Sequence, residues 1–147
     1  IVKYIPTIII DTSLKIPLRV KLLKDISKKR IIIFTASKGQ KYEYLKKIGC
    51  EIILMKKNKE NKMNLMTIFK KIYQLKINDV FVEAGGIFFT DLLKNNLVDD
   101  LHLFKSQKII GHKGKPFIIN QKISDLTIKE ISRTKFGNDI YQHLKIN

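Results

Sequence analysis

Val80-Phe81-Val82-Glu83-Ala84-Gly85-Gly86-Ile87-Phe88-Phe89-Thr90-Asp91-Leu92-Leu93 passes from an apolar, β-branched run through a carboxylate and two glycines straight into a helical pattern. Val80 to Glu83 reads as a buried strand, and Phe88, Phe89, Leu92 and Leu93 supply the apolar positions of a helix. A strand handed directly to a helix is the building unit of an α/β sheet, where ligands gather beyond the carboxyl ends of the parallel strands. Gly85 and Gly86 have no Cβ, so a phosphate can approach the backbone closely. The helix N-terminus behind them offers unpaired N–H donors and a partial positive charge. A glycine pair also serves a plain tight turn. Glu83 favours a site, because a carboxylate ending an apolar strand needs a partner or solvent.

Upstream, strands and helices alternate. Thr7 to Asp11, entered through Pro6, and Arg30 to Thr35 read as buried strands, separated by a loop with Pro17 and a short helical turn near Leu22 to Ile26. Ser37 to Ile48 is expected to be a helix with Tyr42, Leu45 and Ile48 on one side and Gly49 as its C-terminal cap. Glu51 to Met55 is a third strand, and Lys56 to Lys62 a polar surface loop. Asn64 can cap a helix in which Leu65, Ile68, Phe69, Ile72 and Leu75 share one face. Downstream of the opening stretch, Asn95-Asn96 can stop the helix. Strands follow at Leu101–Lys105, Leu126–Ser132 and Ile140–Lys145, the last two joined through a Phe136-Gly137-Asn138-Asp139 turn. The expectation is one α/β domain: a mixed, mostly parallel sheet flanked by helices, closed by a C-terminal antiparallel hairpin.

The 147 residues with 44% apolar content can fill one core. No stretch approaches the ~18–20 uninterrupted apolar residues of a membrane span. Ile1-Val2-Lys3-Tyr4 has neither an initiator Met nor a signal-peptide core, so the chain is expected to begin partway through a longer, cytoplasmic protein. Cys50 is alone, which removes a disulfide framework, and it reads as a small buried residue rather than a nucleophile. His102, His112 and His143 lack zinc-ligand spacing, so no metal is expected. The net charge of +16 arises from 26 Lys against 3 Arg, scattered in ones and twos. Without Arg or aromatic-interleaved strands it reads as solvated faces that attract anionic small molecules, with no specific nucleic-acid partner. A basic nucleic-acid-binding module remains the non-enzymatic alternative.

Several motifs in order carry a resemblance. Pro6-Thr-Ile-Ile-Ile-Asp-Thr-Ser-Leu-Lys-Ile-Pro17, Val82-Glu83-Ala84-Gly85 with its helix, Leu97-Val98-Asp99-Asp100-Leu101-His102-Leu103, Gln107-Lys108-Ile109-Ile110-Gly111 and the loop His112 to Pro116 stand in sequence. They lead to the stretch from Asp125-Leu126 through Gly137-Asn138-Asp139 to Leu144. This series closely resembles the reductase domain of the bifunctional riboflavin-biosynthesis deaminase–reductase. The resemblance implies a dihydrofolate-reductase-like fold and the NADPH-dependent reduction of 5-amino-6-(5-phosphoribosylamino)uracil to its ribitylamino product. It implies that Glu83 contacts the pyrimidine ribosyl phosphate and that the cofactor phosphates lie along Gly85, Gly86, Ile87, Phe88, Phe89, Thr90 and Asp91. Thr12 matches a hydroxyl position at the cofactor. Lys38 is read either as a neighbour of the adenosine 2′-phosphate or as a solvated lysine opening a helix. No catalytic acid or base is assigned. The family's Ser-Leu-Asp-Gly-like strand, its Asp-x-Pro-x-Leu-Thr-x-Arg segment and its deaminase half have no counterpart here. Residues 1–147 are therefore expected to be an incomplete reductase domain, inactive as an isolated chain. Association into a homodimer through the terminal hairpin is expected. A folate reductase and a reductase acting before deamination stay open as alternatives.

Overall fold

Ile31, Ile32, Ile33, Phe34 and Thr35 are each at most 1% exposed, a run of covered residues without polar alternation. Only a strand flanked by neighbours and covered on both faces looks like this. In the computed structural model, which describes residues 5–24, 26–119 and 126–146, this strand is the centre of a parallel three-stranded sheet. Its neighbours are β1 (Thr7–Ile10) on one side and β3 (Glu51–Leu54) on the other, β2 being Ile31–Thr35. The chain divides into two units, Ile1–Lys76 and Ile77–Asn147. Ile1 to Tyr4, which carried the reading of the chain's opening, and Asp125, where the resemblance of the hairpin begins, lie outside the described residues.

In the first unit α1 (Gln40–Lys47) joins β2 to β3, and Leu45 enters a core of Leu14, Leu23, Ile31, Ile33 and Cys50, with Tyr42 and Ile48 packed beside it. The expected face is therefore the buried one. The helix begins three residues later than the pattern suggested. Gly39 stands at φ +128°, which no helix accommodates, and the Ser37 N–H is taken by the Thr35 hydroxyl at 3.2 Å. Lys38 accordingly sits in the loop before α1, exposed. The second helix, α2 (Leu65–Gln74), is capped as expected: the Asn64 side chain accepts from the Thr67 N–H at 2.8 Å. Ile68 and Ile72 are buried, while Met66 and Tyr73 on the far side are 53% and 69% exposed.

Burial also explains Cys50. It is covered within the first core, and loss of water around it pushes the thiol up. Labelling of Cys50 by a thiol reagent in native buffer is expected to be at least about tenfold slower than in urea; equal rates would show that the core is open there.

The second unit holds α3 (Gly86–Lys94) and an antiparallel sheet in the order β4-β6-β5, with β4 Asp100–Lys105, β5 Ile128–Phe136 and β6 Asp139–Ile146. Asn96 at φ +51° ends α3, as the asparagine pair suggested, and the Leu97 N–H donates back to the Leu92 carbonyl at 3.0 Å. Gly137, at φ +59°, opens the two-residue turn between β5 and β6, where Phe136 pairs with Asp139. Phe89 and Leu93 of α3 pack with Ile146, Val98, Leu101 and Leu126.

One expectation needs correction. Val80 to Glu83 is not a strand: residues 77–85 have no regular structure, and Phe81 is 78% exposed. A strand exists only through its neighbours' N–H and C=O groups, and among the described residues none pairs with this segment. Among the described residues the strands fall into a parallel β1-β2-β3 sheet and an antiparallel β4-β6-β5 sheet, which with the three α-helices make the mixed α/β class that was expected. Helices beside parallel strands and a terminal antiparallel hairpin are otherwise as expected.

The β4–β6 register sets His102 opposite His143 and Asp100 opposite Lys145. Asp100 accepts from His143 Nε2 at 2.8 Å and from Lys145 Nζ at 3.2 Å. The hydrogen bond from His143 first, then that from Lys145, holds the Asp100 carboxyl below the usual carboxylate range. A lowered folded value means this contribution is whole above the unfolded carboxyl pKa of ~3.9 and is lost as pH falls through the folded value. Asp100→Asn is expected to flatten the acid limb of stability below about pH 4, followed by melting across pH. An unchanged acid limb would mean that the pair is broken in solution.

Candidate active site

Gly85 caps α3 in an extended conformation, φ −79° and ψ 164°, with no side chain closing the helix end. Helix geometry leaves the N–H groups of Gly86, Ile87 and Phe88 without intrahelical carbonyls. A Cβ placed on Gly85 would meet no atom within 4 Å. Neither backbone strain nor crowding by protein therefore asks for glycine at this position. What glycine leaves is space free of protein at its own Cβ position, beside a helix end with no side-chain cap. Those N–H groups are the donor set an anionic phosphate needs.

Gly86 is different. A Cβ there would collide with the Pro116 carbonyl oxygen and lie 3.1 Å from that of Phe117. The segment 116–119 thus runs directly over the start of α3, helped by the Phe89 and Phe117 rings at 4.6 Å. Thr90, 2% exposed, completes the contact: its hydroxyl donates to the Gly86 carbonyl at 2.7 Å and accepts the Ile119 N–H at 3.1 Å. Among the remaining expected cofactor positions, Ile87 is 64% exposed, Phe89 is 8% exposed and packed inward, and Phe88 and Asp91 are half-buried. Glu83 is exposed, and among the described residues no hydrogen bond or ion pair holds its carboxylate.

Thr12 belongs to the first unit, in the loop after β1. The Thr12 carbonyl accepts the Ala36 N–H at 3.0 Å and the Thr35 hydroxyl at 3.3 Å, which ties the carboxyl ends of β1 and β2 together. Its own hydroxyl meets no partner among the described residues. Asp11 braces the loop by accepting the Ile16 N–H at 2.8 Å, and buried Leu14 is held at φ +52°. A non-glycine residue in that region stores strain, a recurrent feature of ligand loops.

The RibD C-terminal domain family model matches residues 3–142. The chain belongs to that family. Riboflavin biosynthesis protein RibD of Aquifex aeolicus is 31% identical over 139 residues, which cover 90% of this chain and 35% of that protein. The 5-amino-6-(5-phosphoribosylamino)uracil reductase of Buchnera aphidicola is 34% identical over 86 residues, 58% of this chain and 40% of that one. The chain thus spans about a third to two fifths of the length of these curated relatives. Acinetobacter baumannii RibD superposes over 95% of the chain and 37% of its own length, with a TM-score of 0.77 at 18% identity, a likeness of fold. The RibD C-terminal domain thus has the dihydrofolate-reductase-like fold that the motifs implied.

In this RibD C-terminal domain, sequence reading missed three features. The Thr90 hydroxyl was not distinguished from its helical neighbours. The strain at Leu14 has no sequence signal, since leucine rarely adopts positive φ. His102 and His143, far apart in sequence, are cross-strand partners with rings stacked at 4.6 Å, and Tyr141 Oη lies 2.7 Å from His102 Nδ1. Only the register of β4 on β6 reveals that pairing. A cavity of about 250 Å³ lies beside the far end of α3, lined by Leu93, Asn96, Val98, Asp99, Leu126 and Ile146. It contains none of the expected site residues.

Proposed function

We propose that this chain carries the cofactor-binding part of an NADPH-dependent reductase that converts 5-amino-6-(5-phosphoribosylamino)uracil to the ribitylamino product in riboflavin biosynthesis. The observation that carries the reading is the open, uncapped N-terminus of α3 at Gly85, in a chain matched by this family over nearly its whole length. The N–H groups of Gly86 to Phe88 would hold the cofactor phosphates; Thr12, in the first unit, matches a hydroxyl position at the cofactor in the family. The exposed Glu83 carboxylate would accept from substrate N–H or O–H groups. NADPH, when bound, would supply a hydride to C1 of the open-chain ribosyl imine, whose nitrogen takes up a proton from solvent to become the ribitylamino N–H. The protein's share is orientation, which can lower a barrier by up to ~7–11 kcal/mol.

Steady-state oxidation of NADPH by the intact protein tests this with three substrates: the uracil phosphoribosylamine, its undeaminated counterpart and dihydrofolate. Turnover with the first is expected, and turnover with dihydrofolate alone overturns the reading. Gly85→Val separates ligand space from turn geometry, because φ −79° suits valine and no protein atom crowds it. The KM for NADPH is expected to rise at least about tenfold at unchanged thermal stability. An unchanged KM would leave Gly85 a turn residue only.

Homodimer formation and a cytoplasmic location are part of the same proposal. What supports the dimer is β5, an edge strand exposed along its whole length, with Ile128, Ile131 and Phe136 between 50% and 60% exposed. Light scattering giving a monomer at micromolar concentration would remove it. The 26 lysines are expected to bind DNA only weakly, with affinity vanishing near physiological salt. Sub-micromolar affinity at that salt would favour the nucleic-acid reading instead.

A further inference from the structure

We infer that Thr90 is a positioning residue: its buried hydroxyl clamps the segment 116–119 onto the first turn of α3 and thereby sets the direction of the N–H groups at Gly85 to Phe88. This inference rests on the proposed cofactor role of that turn. The single oxygen is fully used. As donor it meets the Gly86 carbonyl at 2.7 Å, and as acceptor it takes the Ile119 N–H at 3.1 Å. Gly86 has no room for a side chain beneath Pro116 and Phe117, and Phe117 stacks on Phe89 at 4.6 Å. Segment and helix start are therefore in direct backbone contact, and a shift of one moves the other.

A threonine bonding back to the carbonyl four residues earlier is ordinary helix chemistry. Here the same hydroxyl also satisfies a non-helical N–H 29 residues away. That second bond turns a local contact into a tie between two parts of the site. Thr90 thus acts through its side chain, from behind the helix start, rather than by touching the cofactor.

Thr90→Val keeps the volume and removes both bonds; Thr90→Ser keeps the hydroxyl and removes one methyl. In the intact protein, amide exchange at Ile119 is expected to be about tenfold faster in the valine variant, the factor for one lost hydrogen bond, and near wild type in the serine variant. The KM for NADPH is expected to rise by a similar factor, about tenfold, with kcat changed less than about twofold, and serine is expected to restore it. Unchanged exchange at Ile119 overturns the clamp. Faster exchange with unchanged KM overturns the positioning role. Gly85→Val then tells whether the cofactor reading falls with it: if that variant still raises KM, the turn binds cofactor and only Thr90 was misassigned. Should Thr90→Val not fold, Thr90→Ala read against Thr90→Ser by the same two measurements decides the matter.

Discussion

Gly86→Ala is expected to destabilise the second unit by about 1–3 kcal/mol, the usual cost of forcing an atom into packed space. Gly85→Ala, one residue earlier, should stay within about 0.5 kcal/mol of the parent. Two adjacent glycines are indistinguishable by composition, and their surroundings make them opposites. At Gly86 the added Cβ meets the carbonyl oxygens of Pro116 and Phe117, which are backbone atoms and cannot rotate aside. At Gly85 it meets nothing within 4 Å. Helix propensity works against the prediction, since alanine in a helix is better than glycine by up to ~1 kcal/mol. A loss at Gly86 therefore means that the collision outweighs that gain. Urea unfolding followed by amide exchange in α3 and β6 measures both variants. Equal stability would show that the segment 116–119 does not rest on α3 in solution, and the Thr90 clamp would fall with it.

The features legible in the sequence were those set by local periodicity. The α2 face of Leu65, Ile68, Phe69, Ile72 and Leu75 is the covered side, because a 3.6-residue repeat needs only its own helix to be seen. Caps at Asn64 and Asn96 were legible for the same reason: their chemistry involves residues three or five positions away. Among the described residues each strand had been anticipated, although β5 begins two residues later and ends four residues later than the expected Leu126–Ser132. Val80 to Glu83 failed although its composition is the most strand-like of the second unit, because a strand depends on a partner elsewhere and periodicity is silent about partners. The site divides along the same line. A glycine pair before a helix could be read as an anion-binding end, and Gly85 has the open space that reading requires. That Gly86 serves contact with residues 30 positions later, or that Thr90 bonds there, follows only from tertiary structure.

Glu83→Gln is expected to lower kcat/KM for the pyrimidine substrate by about 10- to 100-fold, the equivalent of one charge-assisted hydrogen bond of ~1.5–3 kcal/mol. The KM for NADPH and the thermal midpoint should not move. The stability side of this prediction comes from the structure: the carboxylate is exposed and has no partner among the described residues, so its replacement breaks nothing within them. Val80 and Val82 are each 37% exposed and Phe81 is 78% exposed, so the segment leading to Glu83 is open to solvent. The functional side comes from the proposed role. A carboxylate accepts hydrogen bonds at both oxygens, whereas the amide accepts at one and donates at the other. A substrate that presents two donors loses a contact and meets an N–H in its place. A cofactor bound as proposed, at the helix start beyond Ala84, would not sense the exchange. Kinetics with both ligands varied give the two constants separately. A rise in the KM for NADPH would place Glu83 on the cofactor side, and an unchanged kcat/KM would make it a solvated carboxylate with no part in the reaction.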